Sequence, residues 1–399
     1  MMSLLKPILL TAFMLGIATT ACGFEVSGSW KNSLFLLRET PGQSATDGYL
    51  LVDSLRLDLT QPAGSMQFEA SCDNRLIYAN PEIMTSLPAA NPNRVVNLEK
   101  SWDGDSRFND LLQIDRLAVH DRRDTIDWSL GRQAIGFGRI ALVSPLDVIA
   151  PFAPDALDTD VRPGVDSIRF LRYFDLGGHL GATAVFGRNR ELNSYLLTGS
   201  DHRFGLDLLG MAGWLRGRPM IGLGLAGDLG GLGLKGEVVT YRGKDVKMDS
   251  GDLYDHFTVA AIEAWYRFDN GLTTLLEYLY NGPGSDDPAD YLRVAASAPL
   301  REGLSYLLGR HYLLLTTSYQ AHPLATLQGL VIWNLEDDSF LLRPLLDYSL
   351  GDNLSMQLFW SFTIGDAPEP SPIPGFPSAW QSEFGSYADS GGIFVRYYF

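Results

Sequence analysis

The sequence predicts an all-β chain: a transmembrane antiparallel β-barrel of about eighteen strands, with sixteen as the alternative count and no plug domain. Three observations carry this. A secretory signal opens the chain, and segments of about ten residues with alternating apolar character recur behind it. No uninterrupted apolar stretch of membrane-helix length follows the signal, although 46% of the residues are hydrophobic.

The signal is read from Lys6, the apolar run from Ile8 to Ala18 and the small residues Thr19-Thr20-Ala21-Cys22-Gly23. The run is too short to cross a bilayer as a helix, and Ala21 and Gly23 suit the positions before a cut near Phe24. The expected organisation is residues 1–23 as signal peptide and 24–399 as one barrel. Cys22 leaves two outcomes open. It departs with the signal and leaves Cys72 a lone thiol, or it stays, lipidated or in a disulfide with Cys72. The residues before it lack the leucine-like position usual for lipidation.

Alternating segments then lie near 26–37, 49–60, 65–78, 110–121, 125–134, 164–174, 179–187, 193–200 and 205–215. The second half continues near 219–227, 232–242, 256–267, 272–281, 310–320, 325–334, 339–349, 354–364 and 390–399. Connections after even-numbered strands are tight, as in Gln61-Pro62-Ala63-Gly64, Asp228-Leu229-Gly230-Gly231 and Phe268-Asp269-Asn270-Gly271. The long connections, 79–109, 135–163, 243–255, 282–309 and 365–389, all follow odd-numbered strands. Parity and loop length thus agree on eighteen. Only about two dozen residues separate the expected cut from the second strand, which leaves no room for a plug and argues against energy-coupled uptake.

The alternation also assigns faces. From Leu354 to Ile364, the set Leu354, Met356, Leu358, Trp360, Phe362 and Ile364 suits lipid, and Ser355, Gln357, Ser361 and Thr363 point inward. Aromatic residues gather near strand ends, at Tyr266, Tyr278, Tyr280, Trp333 and Tyr348. Mid-strand charges are costly against hydrocarbon and tolerable beside water, so Asp127, Lys235, Glu237, Glu263, Arg267, Glu277, Arg310, Arg343 and Asp347 are expected to line a wet interior. The plainer reading of any one of them is a salt-bridged wall residue.

The chain closes on Ile393-Phe394-Val395-Arg396-Tyr397-Tyr398-Phe399, with Ile393, Val395, Tyr397 and Phe399 on one strand face. A terminal aromatic on an alternating strand resembles the signal read by the outer-membrane barrel assembly machinery, which makes Phe399 the expected assembly signal.

The stretch Gly131-Arg132-Gln133-Ala134-Ile135-Gly136-Phe137-Gly138-Arg139, then Ser144-Pro145-Leu146-Asp147 and Pro163-Gly164-Val165-Asp166, joins the fifth and sixth strands and is too apolar for a loop in water. It is expected to fold inward over about 135–163. Here the sequence resembles large Gram-negative porin-like barrels in which a GRQ strand end leads through a Ser/Asn-Pro-x-Asp turn to a Pro-Gly-Val-Asp strand start. The runs Gly227-Asp228-Leu229-Gly230-Gly231 and Asn334-Leu335-Glu336-Asp337-Asp338-Ser339 resemble hairpins of the same family. The resemblance implies an inward loop that narrows a channel. Arg132 and Arg139 facing Asp147, Asp155, Asp158 and Asp160 would then set a transverse field across a constriction, or merely pin the loop to the wall.

The formal net charge of −16 argues against nucleic acid as a partner and leans toward a slight cation preference. The acidic clusters Asp103-Gly104-Asp105 and Asp245, Asp249, Asp252, Asp255 lack EF-hand spacing, and the six histidines are scattered singly, so neither a metal nor another cofactor is expected. No enzyme activity is expected either. The expected function is passive diffusion of small hydrophilic solutes through a barrel in contact with outer-membrane lipid and lipopolysaccharide. The alternatives are a sheath around a partner multihaem cytochrome, or an exporter. Homo-oligomerisation is expected only by analogy.

Overall fold

The computed structural model describes residues 23–41, 47–86, 91–174, 177–246, 251–370 and 378–399, so the expected signal peptide, Cys22 included, lies outside the described residues save for Gly23. Among the described residues Cys72 has no disulfide partner.

The strands begin with β1 (Glu25–Leu37), β2 (Gly48–Ala63), β3 (Met66–Ala79), β4 (Glu99–Asp105), β5 (Phe108–Arg123) and β6 (Ile126–Gln133). They continue with β7 (Val165–Tyr173), β8 (His179–Val185), β9 (Ser194–Arg203), β10 (Leu206–Leu215), β11 (Arg218–Leu229), β12 (Leu232–Arg242) and β13 (His256–Arg267). The last are β14 (Thr273–Asn281), β15 (His311–His322), β16 (Ala325–Asn334), β17 (Phe340–Gly351), β18 (Leu354–Ile364) and β19 (Ser390–Tyr398). Each wall strand pairs antiparallel with its sequence neighbour, except that β3 pairs with β5, and β19 returns to β1. Eighteen strands therefore close a barrel with no free edge, and β4 stands outside that count.

The expectation of a plain loop over 79–109 needs correction, because β4 lies inside it. Glu-Lys-Ser-Trp-Asp-Gly-Asp reads as loop, being rich in turn formers. It becomes a strand by pairing with the upper part of β5, from Glu99↔Gln113 down to Asp105↔Phe108, where β6 no longer reaches.

The closing seam is made by the chain's last residues. Ser29↔Tyr398 through Leu37↔Ser390 are in register, and Phe399 N–H donates to Gly28 O at 3.0 Å while Gly28 N–H donates to Phe399 O at 2.8 Å. The Phe399 ring lies over Gly28, where a Cβ would come within 2.6 Å of it. A side chain at position 28 would therefore push the terminal ring off the seam.

The short connections lie at one end of the barrel, except Arg216–Gly217 between β10 and β11, which reverses the chain at the other. In three short connections both central residues adopt positive φ, at Phe204 and Gly205 (56° and 74°), at Arg216 and Gly217 (49° and 83°) and at Gly230 and Gly231 (62° and 88°), the mirror-image turn that matches strand twist. The long connections share the end of the Arg216–Gly217 turn. Burial separates the two faces of each strand: on β9 Leu196 is 2% exposed and Leu197 is 65%, and on β11 Met220 is 6% and Ile221 is 62%. The outer face is thus an apolar band of Leu, Ile and Phe, the surface that hydrocarbon suits. Among the described residues no helix is long and apolar enough to cross a membrane.

Candidate functional site

The interior is organised by residues 134–164, which leave β6 and re-enter the wall at β7. Ile135, Ile140, Leu146, Val148 and Ile149 are at most 6% exposed. They pack on apolar side chains that β8 to β17 present to the lumen, among them Leu209, Met211, Val239, Val259, Leu279 and Leu314. One side of the barrel interior is therefore a hydrophobic core. Gly222 and Gly224 on β11 form the socket for Leu146, since a Cβ there would fall 2.5 and 2.9 Å from its methyl groups. At roughly 1.5–3 kcal/mol per buried aliphatic side chain, these five residues contribute on the order of 10 kcal/mol as an upper bound.

A row of carboxylates then takes the segment's backbone. Glu237, Glu263 and Glu277 point inward from β12, β13 and β14, and Glu263 and Glu277 are directly opposite one another. Glu237 accepts from the N–H groups of Arg139 (2.6 Å), Ile140 (3.2 Å) and Leu146 (3.1 Å) and from Ser144 Oγ (2.5 Å). Glu263 accepts from Ala141 N–H at 2.6 Å, and Glu277 from Leu142 and Val143 N–H at 3.3 and 3.1 Å. The wall strands spend their own carbonyls on one another, so a segment crossing the lumen needs acceptors from side chains. Carboxylates supply acceptors without donors. The like-charge contact between Glu263 and Glu277 is offset by these amides and by Lys235 Nζ, 2.7 Å from Glu263 Oε1.

Beyond Pro151 the segment meets a basic wall. Arg343 on β17 donates to Asp155 O at 2.5 Å. Lys31 on β1 lies 2.8 Å from Asp158 and 3.0 Å from Asp160. Asp160 also accepts from Tyr398 OH and faces Arg396 of β19 at 3.8 Å. Arg162 turns back onto Asp147 (2.5 Å) and Ala150 O (2.6 Å), its own carbonyl accepts from Arg116 at 2.5 Å, and Gly164 N–H reaches Asp115 on β5 at 2.9 Å. The segment therefore makes a lap of the lumen, touching β12 to β14, then β17, β19, β1 and β5.

The charges meet differently from the expected arrangement. The structure does not bring Arg132 to the loop aspartates. It is 2% exposed within the wall, bonded to Asp166 at 2.7 Å and to Ile114 O at 2.9 Å. Arg139 gives its backbone to Glu237 and its guanidinium lies 3.7 Å from Asp207. Asp147, Asp155, Asp158 and Asp160 are on the segment, but their cations are Arg162, Arg343, Lys31 and Arg396. Lys31, Arg162 and Arg396 were missed. The alternation that turns Val395 and Tyr397 outward turns Arg396 inward, so the signal was present.

Of the inward set, Asp347 accepts from Gln357 (2.6 Å) and pairs with Arg396 (2.8 Å), and Asp127 lies 3.8 Å from Arg122. Arg267 is exposed at the short-turn end. Arg310 sits at the long-loop end against Tyr254 and Asp286. A further cluster joins β2, β5 and the connection before β4, where Asp115 takes Arg56 (2.9 Å), Arg94 (2.8 Å) and Arg116 (2.5 Å).

The long-loop end is roofed by residues 282–310, which carry α1 (Tyr291–Ala295) and α2 (Ala298–Arg301). Beneath them Arg218, fully buried, bonds Asp252 at 2.8 Å and Glu302 at 2.6 Å. Tyr306 OH donates to Pro151 O at 2.9 Å and so ties the roof to the inward segment. Glu383, from the loop before β19, accepts from Leu308 N–H (3.0 Å), Asn334 Nδ2 (2.9 Å) and Tyr312 OH. Burial pushes its carboxyl up to about 7.

No known family model matches the chain, and no curated protein matches it. Among solved structures, Acinetobacter baumannii OccAB1 aligns over 94% of this chain and 96% of its own, with a TM-score of 0.56 at 11% identity. The fold is that of the outer-membrane porins. A triple mutant of the Rhodopseudomonas blastica porin also aligns, over 94% of this chain and all of that one, at 11% identity and a TM-score of 0.47. At such identities the likeness is one of architecture, and the residues that meet in the lumen are this chain's own.

Proposed function

We propose that this porin-fold barrel lies in a bacterial outer membrane, assembled through Phe399, and conducts small hydrophilic solutes by passive diffusion past residues 135–163. The supporting observation is that lap of the lumen, apolar where it packs on β8 to β17 and acidic where Asp155, Asp158 and Asp160 meet Lys31, Arg343 and Arg396. A solute path beside it has a polar wall on the side of β17 to β5 and carries both signs of charge. Such a wall passes hydrated solutes and filters them by size and dipole. The apolar outer face supports the membrane placement.

The sheath and exporter readings require a lumen clear of the chain's own residues. Occupation by the inward segment favours the solute path over them. Deleting residues 140–158 removes most of the obstruction, so single-channel conductance in planar bilayers is expected to rise. An unchanged conductance in a correctly folded deletion would refute the constriction, and liposomes that do not swell in any small solute would refute diffusion.

A further inference from the structure

Toward the short-turn end, beyond the carboxylate row, the inner wall carries an open pocket of about 290 Å³ whose lining includes Lys235, Glu263, Trp265, Thr273, Leu275, Thr316 and Ser318. That volume is near the lower bound of small-molecule sites, about 300 Å³, and suits a single ring. Three features of the lining point to the same ligand chemistry.

The first is Trp265. It follows Glu263 on the inward face of β13, and its indole lies across Gly233 of β12, where a Cβ would fall 1.9 Å from Nε1. It remains 39% exposed, with the part-buried Leu275 directly opposite it on β14 and lining the same pocket. An indole left open beside a polar path offers a flat apolar face with a polar edge. The second is a group of hydroxyls. Thr316 and Ser318 alternate on β15, and Thr273 is opposite Ser318 on β14. Among the described residues none of the three makes a side-chain hydrogen bond, so each has a donor and acceptors to offer. The third is the Lys235–Glu263 ion pair at 2.7 Å, with Glu263 fully buried. The partly exposed ammonium of Lys235 presents donors, and the buried carboxylate of Glu263 cancels most of its charge. An anionic solute would have to compete with Glu263 for Lys235, and a cationic one would have to compete with Lys235. A neutral polyol needs neither displacement.

We propose that this cavity is a lumenal subsite for a neutral sugar ring, stacked against Trp265, with its hydroxyls bonded to Thr273, Thr316, Ser318 and the ammonium of Lys235. The subsite lies directly beneath the constriction, because the second oxygen of Glu263 accepts from Ala141 N–H at 2.6 Å. A ring held there is on the exit side of the narrowing. This rests on the diffusion reading, and the test separates the two.

The full barrel is placed in planar bilayers and ion current is recorded while glucose or maltose is added on the short-turn side, with glutamate as the charged control. The sugars are expected to produce current noise or block at concentrations where glutamate does not. Trp265→Ala is expected to weaken the block about 3- to 10-fold, the range for loss of one aromatic contact. The double variant Thr316→Val/Ser318→Ala should weaken it as well. A conducting channel that sugars do not modulate, or modulation identical in Trp265→Ala, overturns the subsite and leaves the pore standing. A barrel that carries no current overturns the diffusion reading instead. Titration calorimetry of detergent-folded barrel with maltose then decides the subsite: heat lost in Trp265→Ala supports it, and no heat in the parent barrel overturns it.

Discussion

Replacing Glu237 by alanine tests the carboxylate row at its most heavily used member. Glu237 receives four donors, the N–H groups of Arg139, Ile140 and Leu146 and the hydroxyl of Ser144. Hydrogen bonds to a charged acceptor contribute about 1.5–3 kcal/mol each, but they share one carboxylate and are not additive. The amides they satisfy are stranded in an interior where Leu146 is fully buried. A net loss of about 3–5 kcal/mol in local docking is therefore expected. That exceeds any one contact but not the apolar packing on β8 to β17, so the segment loosens between 139 and 146 without leaving the lumen. Hydrogen exchange of the folded barrel reads this directly. At 1.36 kcal/mol per factor of ten, protection at Arg139, Ile140 and Leu146 should fall by about a hundred- to a few-thousand-fold, with a smaller change at Ala141, which Glu263 holds. Channel current should become noisier on the same grounds. Protection unchanged within a factor of ten at all three amides would show that the carboxylate does not hold the segment.

Two further outcomes test the acidic side of the lumen and the roof. Lys31→Ala combined with Arg396→Ala leaves Asp158 and Asp160 without their nearest wall cations. The reversal potential in a salt gradient should then move toward cation selectivity, and an unmoved potential would place these aspartates off the solute path. Glu383 tests the roof. Its pKa is raised in the fold from an ordinary 4.5 to about 7 because burial disfavours the carboxylate. A raised pKa stabilises fully below the unfolded value, and that stabilisation is lost as pH climbs through the folded one. Roof stability should thus fall by about 3 kcal/mol between pH 4.5 and pH 7 or slightly above, read as lost exchange protection at Leu308 N–H, which Glu383 accepts. Glu383→Gln should flatten that dependence, and a slope that survives the substitution would assign it to another group.

Much of the barrel was legible in one dimension because its determinants are local. A period of two decides which residues of a strand face out, and Gly, Asn and Asp at turn centres decide where the chain reverses. That is why strand positions, the eighteen-strand count and the inward turn of Glu237, Glu263 and Glu277 could all be read from the sequence. β4 was missed because Glu99–Asp105 has no apolar alternation and owes its conformation to the upper edge of β5. The apolar interior of β8 to β17 was also hidden. On β12 Val239 and Tyr241 face inward while Val238 faces outward, and a strand apolar on both faces offers no contrast to read.

What the sequence by itself determined was the set of groups available to the lumen and the segment that would enter it. Which of those groups meet was decided only by tertiary structure. Arg132 and the loop aspartates are near in sequence, yet Arg132 is held by Asp166, and Asp158 finds Lys31 more than a hundred residues away. The physical reason is that partner choice inside a barrel depends on closure and register. Joining β19 to β1 sets Arg396 directly opposite Lys31, and the path of the inward segment carries Asp158 and Asp160 to that seam. No pattern within one strand encodes the distance between two strands that meet only when the sheet closes.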